Sequence, residues 1–157
     1  MLKTVYLDLD GVIYDFIGHL AYMDGYSYCG NWFAMIEKSE YSYQEYIKMT
    51  MDKYHLDGLY RDGAMLSDGM KLLADLIEYR KKCGFELIIL SAMGNTDNRL
   101  NDESLQAIKR DKINWLKNTL LGYKSIYYLV DDVIIVNSSH DKILYAKDDS
   151  ILIDDIS

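Results

Sequence analysis

Apolar residues along this chain fall in short blocks, and most blocks break off at a polar residue capable of chemistry. Residues 4–9 (Thr-Val-Tyr-Leu-Asp-Leu) begin an apolar, β-branched run that stops at Asp10-Gly11. That pattern predicts a buried strand followed by a tight turn. Residues 67–82 carry Met70, Leu73, Leu76 and Ile77 at helical spacing, with Lys and Arg gathering at the end and Gly84 just beyond. A basic last turn followed by glycine is how a helix stops. Glu86–Leu90 predicts a second buried strand ending at Ser91-Ala92, and a helix follows from about Glu103 to Leu120 with Leu105, Ile108, Trp115 and Leu116 on its apolar side. Ile126–Val130 and Val133–Asn137 read as β-like runs parted by Asp131-Asp132, as a hairpin or as one kinked strand. The last run, Ser150–Ile153, leads into Asp154-Asp155.

Strands alternating with helices predict an α/β fold, a Rossmann-like parallel sheet with helices on both faces. Residues 15–65 differ in texture. They are rich in Tyr, Met, Trp and Phe, show no strand, and contain Ser42-Tyr-Gln-Glu45, a capping-box start to a helix running to about Tyr54. The division this predicts is a core of residues 1–14 and 66–157 and a helical cap inserted at 15–65, over the carboxyl edge of the sheet.

Composition narrows the function. The chain has 157 residues, enough for one domain with a small insertion, and is 50% hydrophobic and 27% charged, which is ordinary for a globular protein. A net charge of −8 argues against nonspecific nucleic-acid coating and against an anionic membrane as partner. No basic-then-apolar leader opens the chain, and no run approaches the roughly 18 apolar residues of a membrane span. Cys29 and Cys83 lie far apart without metal-ligand spacing and read as reduced thiols, so a cytoplasmic protein is expected.

Ligands of open parallel sheets bind beyond the carboxyl ends of the strands. The polar residues ending each apolar run are Asp8 and Asp10, Ser91, Lys142, and Asp154 with Asp155. Carboxylates at Asp8 and Asp154 with a backbone carbonyl at Asp10 suit a hard octahedral cation such as Mg²⁺. The free oxygen of Asp8 can attack phosphorus and form an aspartyl-phosphate. Asp10 can protonate the leaving oxygen and then activate water. Lys142 and Ser91 would hold phosphoryl oxygens as charge redistributes. A carboxylate facing a phosphate dianion is repelled by several kcal/mol, at about 4 kcal/mol per charge pair at 4 Å and an effective dielectric of 20. Mg²⁺ and the Lys142 ammonium together offset that repulsion.

Val5-Tyr6-Leu7-Asp8-Leu9-Asp10-Gly11-Val12 resembles the first motif of the haloacid-dehalogenase-like (HAD) superfamily. Leu87–Ser91 resembles its second motif, His140-Asp141-Lys142 its lysine motif, and Ile151-Leu152-Ile153-Asp154-Asp155 its acidic fourth. The lysine and final motifs look most like the 5′(3′)-deoxyribonucleotidase branch and its phage-encoded relatives. The resemblance implies a magnesium-dependent phosphomonoester hydrolase with a helical cap and a nucleoside monophosphate substrate, in host cytoplasm if phage-encoded. It makes Asp154 the metal ligand and Asp155 an orienting neighbour. Alternatives are a phosphatase for another small ester or a polynucleotide end, and a silent interaction module on the same fold.

Other readings compete at single positions. Lys147 is the rival of Lys142, while His19, His55 and His140 read as structural or surface residues. Phe16, Trp32, Phe33 and Tyr60 either stack a nucleobase or pack the cap core, and Ala92 is expected beside the substrate with the first three. The family pattern continues past the acidic pair through a helix and a strand, whereas this sequence stops at Ser157. Ser150–Ile153 is therefore expected to form a bare sheet edge that a second copy covers, giving a homodimer.

Overall fold

Val5 and Leu7 point to one face of the first strand and Tyr6 to the other, and all three are buried. Such a strand must lie inside a sheet covered on both sides. The computed structural model describes residues 1–25 and 40–155. In chain order its elements are β1 (Thr4–Leu7), α1 (Phe16–Met23), α2 (Tyr43–Tyr54), α3 (Ser67–Cys83), β2 (Glu86–Ala92), α4 (Asp102–Asn118), β3 (Leu120–Leu121), β4 (Lys124–Ser125), α5 (Ile126–Leu129), β5 (Asp132–Val136) and β6 (Ser150–Ile153). Short 3₁₀ turns occupy Thr96–Asn98 and Ser139–Tyr145.

The fold is α/β, as the alternation of elements predicts. A four-stranded sheet runs β5-β2-β1-β6, with every pairing parallel. Leu7 is in register with Ile89 on one side and Ile153 on the other, so neighbouring strands end level with one another. The Val5–Leu7 face meets the larger core, which includes Leu20, Leu73, Ile108 and Trp115 from the surrounding helices. The Tyr6 face carries a smaller cluster, Ile88 and Leu90 with Ile134 and Val136 of the neighbouring strand, and Tyr145 packs against it. Among the described residues β6 pairs only with β1, and Ile151 and Leu152 are exposed at 47% and 43%. Among the described residues no helix is long and apolar enough to cross a membrane.

Local signals explain most element ends. Ser42 and Glu45 make the predicted capping box at the start of α2, each backbone N–H donating to the other's side chain. Gly84 ends α3 in the left-handed conformation at φ 76°. One sequence expectation is corrected: residues 126–130 begin with helix α5 instead of a strand, after the β3–β4 hairpin. Ile126 and Val130, four residues apart, are the buried positions, and Tyr128 between them is exposed. That is helical spacing, hidden in a run too short for periodicity to decide.

The two ends of segment 15–65 are drawn together. Asp15 N–H donates to the Ala64 carbonyl and Leu66 N–H to the Ile13 carbonyl, both at 2.9 Å. Tyr14 Oη donates to the Leu59 carbonyl and accepts from Gly63 N–H, while Trp115 Nε1 donates to the Gly63 carbonyl. The helices of this segment therefore rise beside the carboxyl end of β1.

Candidate active site

β1 ends at Leu7, but its ladder continues one residue further. Asp8 N–H donates to the Ile153 carbonyl at 2.9 Å, which sets Asp8 beside Asp154. Lys142 reaches them from the Ser139–Tyr145 turn, whose start is held by a capping box between Ser138 and Asp141. Its Nζ lies 3.0 Å from Asp8 Oδ1 and 3.0 Å from Asp154 Oδ2, and both Asp8 and Lys142 are buried.

Gly11 makes the next turn. Its φ of +78° suits glycine, and a Cβ there would stand 2.1 Å from Asp155 Oδ2. Asp155 thus comes in against bare backbone. One oxygen each from Asp8, Asp154 and Asp155 lies within 4.8 Å of the others.

Three carboxylates this close cannot all ionise beside a single ammonium. Burial, followed by the charge of Asp10 and the contact with Asp154, holds the proton on Asp8 up to about 8. Asp154 is coupled to it and moves the other way. Burial would raise it, but hydrogen bonds from Asp8, Asp155 and Lys142 and the lysine's charge bring it down to about 2. Asp155 rises to about 6 through burial and its contact with Asp154. For this pair of neighbouring strands the direction is plain: Asp154 carries the charge and Asp8 the proton. A cluster of hard oxygen donors that must otherwise share protons fits a divalent cation such as Mg²⁺.

Asp10 sits on a second cation. Its Oδ2 accepts from Lys112 Nζ at 2.5 Å, and the same ammonium donates to Ser91 Oγ at 2.9 Å. Lys112, on α4, is wholly buried and lies 4.7 Å from the Tyr60 ring centroid. Asp10 Oδ1 is buried without a hydrogen-bond partner.

These groups open on one cavity of about 260 Å³. Asp8, Asp10, Gly11, Lys142, Asp154 and Asp155 line its polar side. Phe16, Ile17, Ile47, Met51 and Tyr60 line the apolar side, with Phe16 and Tyr60 stacked on each other at 5.7 Å and 15°.

The sequence-based candidates Asp8, Asp10, Lys142, Asp154, Phe16 and Ala92 all border this cavity. Ser91 is fully buried, is not among the lining residues, and faces Lys112. Lys147 is exposed and away from the cavity, while Trp32 and Phe33 fall outside the described residues. Sequence reasoning missed Lys112. Its signal was a lysine on the apolar stripe of α4, between Ile108 and Trp115, where an unpaired charge would not be tolerated.

No protein-family profile matches the chain, and no curated protein matches it. Among solved structures, the chain is similar to YfnB from Bacillus subtilis, a protein assigned to the HAD hydrolases and crystallised with magnesium. The match has a TM-score of 0.38 at 12% identity and covers 85% of this chain and 65% of that one. The chain thus spans about two thirds of YfnB. At that TM-score the likeness is loose.

Proposed function

We propose that this chain is a divalent-cation-dependent phosphomonoester hydrolase that uses Asp8 as its nucleophile and acts on small esters, nucleoside monophosphates in particular. The observation that carries the reading is the buried Asp8–Lys142 pair at 3.0 Å, with Asp10 lining the same small cavity. A carboxylate, an ammonium and a second carboxylate are what phosphoryl transfer through an acyl phosphate requires.

The chemistry balances on this chain's own residues. An Asp8 oxygen bonds to phosphorus as the ester P–O bond breaks, and Asp10 gives its proton to the departing oxygen. Water then attacks the acyl phosphate, Asp10 takes a proton back, and Asp8 leaves as a carboxylate with inorganic phosphate released. Lys142 offsets phosphoryl charge throughout. Asp8 and Asp154, with Asp155 adjacent, would hold Mg²⁺, which supplies positive charge for the nucleophile and the phosphoryl oxygens.

Substrate size and shape follow from the walls. A cavity of about 260 Å³ lies at or below the small end of ligand sites, roughly 300–1,000 Å³. Its flat apolar side at Phe16 and Tyr60, opposite the charged floor, suits an ester whose leaving group is planar and weakly polar, such as a nucleoside. The test is phosphate release from a panel of nucleoside and sugar monophosphates with Mg²⁺ and with EDTA. Release that requires the metal and favours nucleotides is expected. Full activity in chelator would overturn the mechanism, and a preference for sugar phosphates would overturn the substrate.

A further inference from the structure

Segment 15–65 brings three side chains with polar ends to the cavity: Tyr43, Gln44 and Tyr60. Tyr60 is buried at 2% exposure, with the Lys112 ammonium over its ring. Tyr43 lies on the acidic side, where burial and then the Asp155 charge hold the proton on its hydroxyl. Gln44 is exposed, and among the described residues nothing bonds its amide. Of the three it is the one left to meet what enters.

Its place follows from helix geometry. Tyr43, Ile47 and Met51 are spaced by four along α2 and line the cavity together, so this stripe of the helix faces inward. Gln44 precedes Ile47 by three residues and therefore lies beside it, at the rim of the apolar wall. A planar group resting on that wall brings an edge to this rim. The charged groups that line the cavity, Asp8, Asp10, Lys142, Asp154 and Asp155, stand instead on the loops at the carboxyl end of the sheet.

We propose that Gln44 is a specificity-determining residue: its amide hydrogen-bonds the polar edge of a nucleobase in the leaving group. The inference rests on the hydrolase reading and adds to it the residue that recognises the base. A side-chain amide offers a donor and an acceptor side by side. Nucleobase edges place a donor and an acceptor on adjacent atoms in one plane, an arrangement that sugar hydroxyls do not hold. Being uncharged, the amide adds recognition beside the carboxylates of the floor without repelling an anionic ester further.

Ribose 5-phosphate keeps the phosphate and sugar of uridine 5′-monophosphate and lacks the base. Gln44→Leu keeps roughly the size of the side chain and removes both hydrogen-bonding atoms from an exposed position, so the unfolding temperature should not change. With Mg²⁺ present, its kcat/KM for uridine monophosphate should fall about fivefold, and for ribose 5-phosphate by less than about twofold. Gln44→Glu retains acceptors and loses the donor, so it should favour a base that carries an amino group. Its ratio of kcat/KM for cytidine over uridine monophosphate should rise at least about threefold above the wild-type ratio, in which the general repulsion from the added charge cancels.

Equal losses on uridine monophosphate and ribose 5-phosphate, or no loss on either, would overturn the role of Gln44 while leaving the hydrolase reading in place. An unchanged cytidine-to-uridine ratio in Gln44→Glu would do the same, and that ratio decides alone if Gln44→Leu lowers the unfolding temperature. A wild type that cleaves ribose 5-phosphate and no nucleotide would overturn the base contact and the nucleotide substrate together. One inactive on every ester would overturn the hydrolase reading as well.

Discussion

Lys142 Nζ lies 3.0 Å from Asp8 Oδ1, joining the end of β1 to a 3₁₀ turn that precedes the far-edge strand β6. Because Asp154 accepts from the same ammonium at 3.0 Å, one lysine spans the carboxyl ends of two neighbouring parallel strands. Both members of the Asp8–Lys142 pair are buried, at 5% and 8% exposure, so neither is an incidental surface charge. A position held this firmly can serve a nucleophile.

Asp8→Asn should abolish phosphate release without unfolding the protein. The amide retains the shape and accepts from Lys142 but has no anionic oxygen to attack phosphorus. In metal-free buffer at pH 8 the variant should unfold at the same temperature as the wild type or higher, because it removes a carboxyl whose charge burial disfavours. Retained turnover, measured as inorganic phosphate, would remove Asp8 from the chemistry.

Stability of the metal-free protein should fall as pH rises. Folded Asp8 keeps its proton up to about 8, while an unfolded aspartate releases it near about 4. The folded state thus binds the extra proton. Its stabilising effect is complete below about pH 4 and is lost as pH climbs toward 8, with a slope of at most about 1.4 kcal/mol per pH unit. Asp155, raised to about 6, acts in the same sense but is exposed and largely screened. Mg²⁺ replaces the shared proton, so it should raise the melting temperature more at pH 8 than at pH 5. Calorimetry showing an equal shift at both values would contradict the shared site.

Helix α2, which carries part of the apolar wall, is tied to the segment that follows β2. Asp52 on α2 pairs with Arg99, and His55 Nε2 lies 3.2 Å from Ser104 Oγ on α4. Ile47 and Met51, on the same helix as Asp52, line the cavity. Asp52→Ala removes a half-exposed pair worth at most about 1 kcal/mol, so melting should hardly move. A loosened wall should instead raise KM several-fold with kcat kept. Steady-state kinetics showing unchanged KM would mean that the Asp52–Arg99 pair does not position the wall.

The edge strand invites a partner. Ile151 and Leu152 are partly exposed on β6, whose outer backbone groups are unpaired by any described strand. Light scattering at micromolar concentration should report a mass near twice 18.3 kDa, and Ile151→Lys should return it toward the single-chain value. A clean monomer of the unaltered chain would refute the dimer.

Much of the fold was legible because its signals are local. The capping box at Ser42 and Glu45, the left-handed stop at Gly84 and the apolar run of β2 each lie within a few neighbouring residues. The site was partly legible for the same reason. Asp8, Asp10 and Asp154 end apolar runs, and in a parallel sheet the ends of neighbouring strands meet. Helix α5 was misread because four residues hold too little periodicity, and its buried positions are set by the hairpin before it and by contacts with α4.

Sequence alone therefore determined the class of fold, the end of the sheet where chemistry gathers, and the residue types available there. Only tertiary structure decided how those residues pair. It gave Lys142 to Asp8 and Asp154, placed Lys112 beneath Asp10, and turned Ser91 toward that second ammonium. The physical reason is range. A strand or a cap is stabilised by neighbours in the chain, whereas a buried charge is tolerated only beside a partner that folding brings from far away.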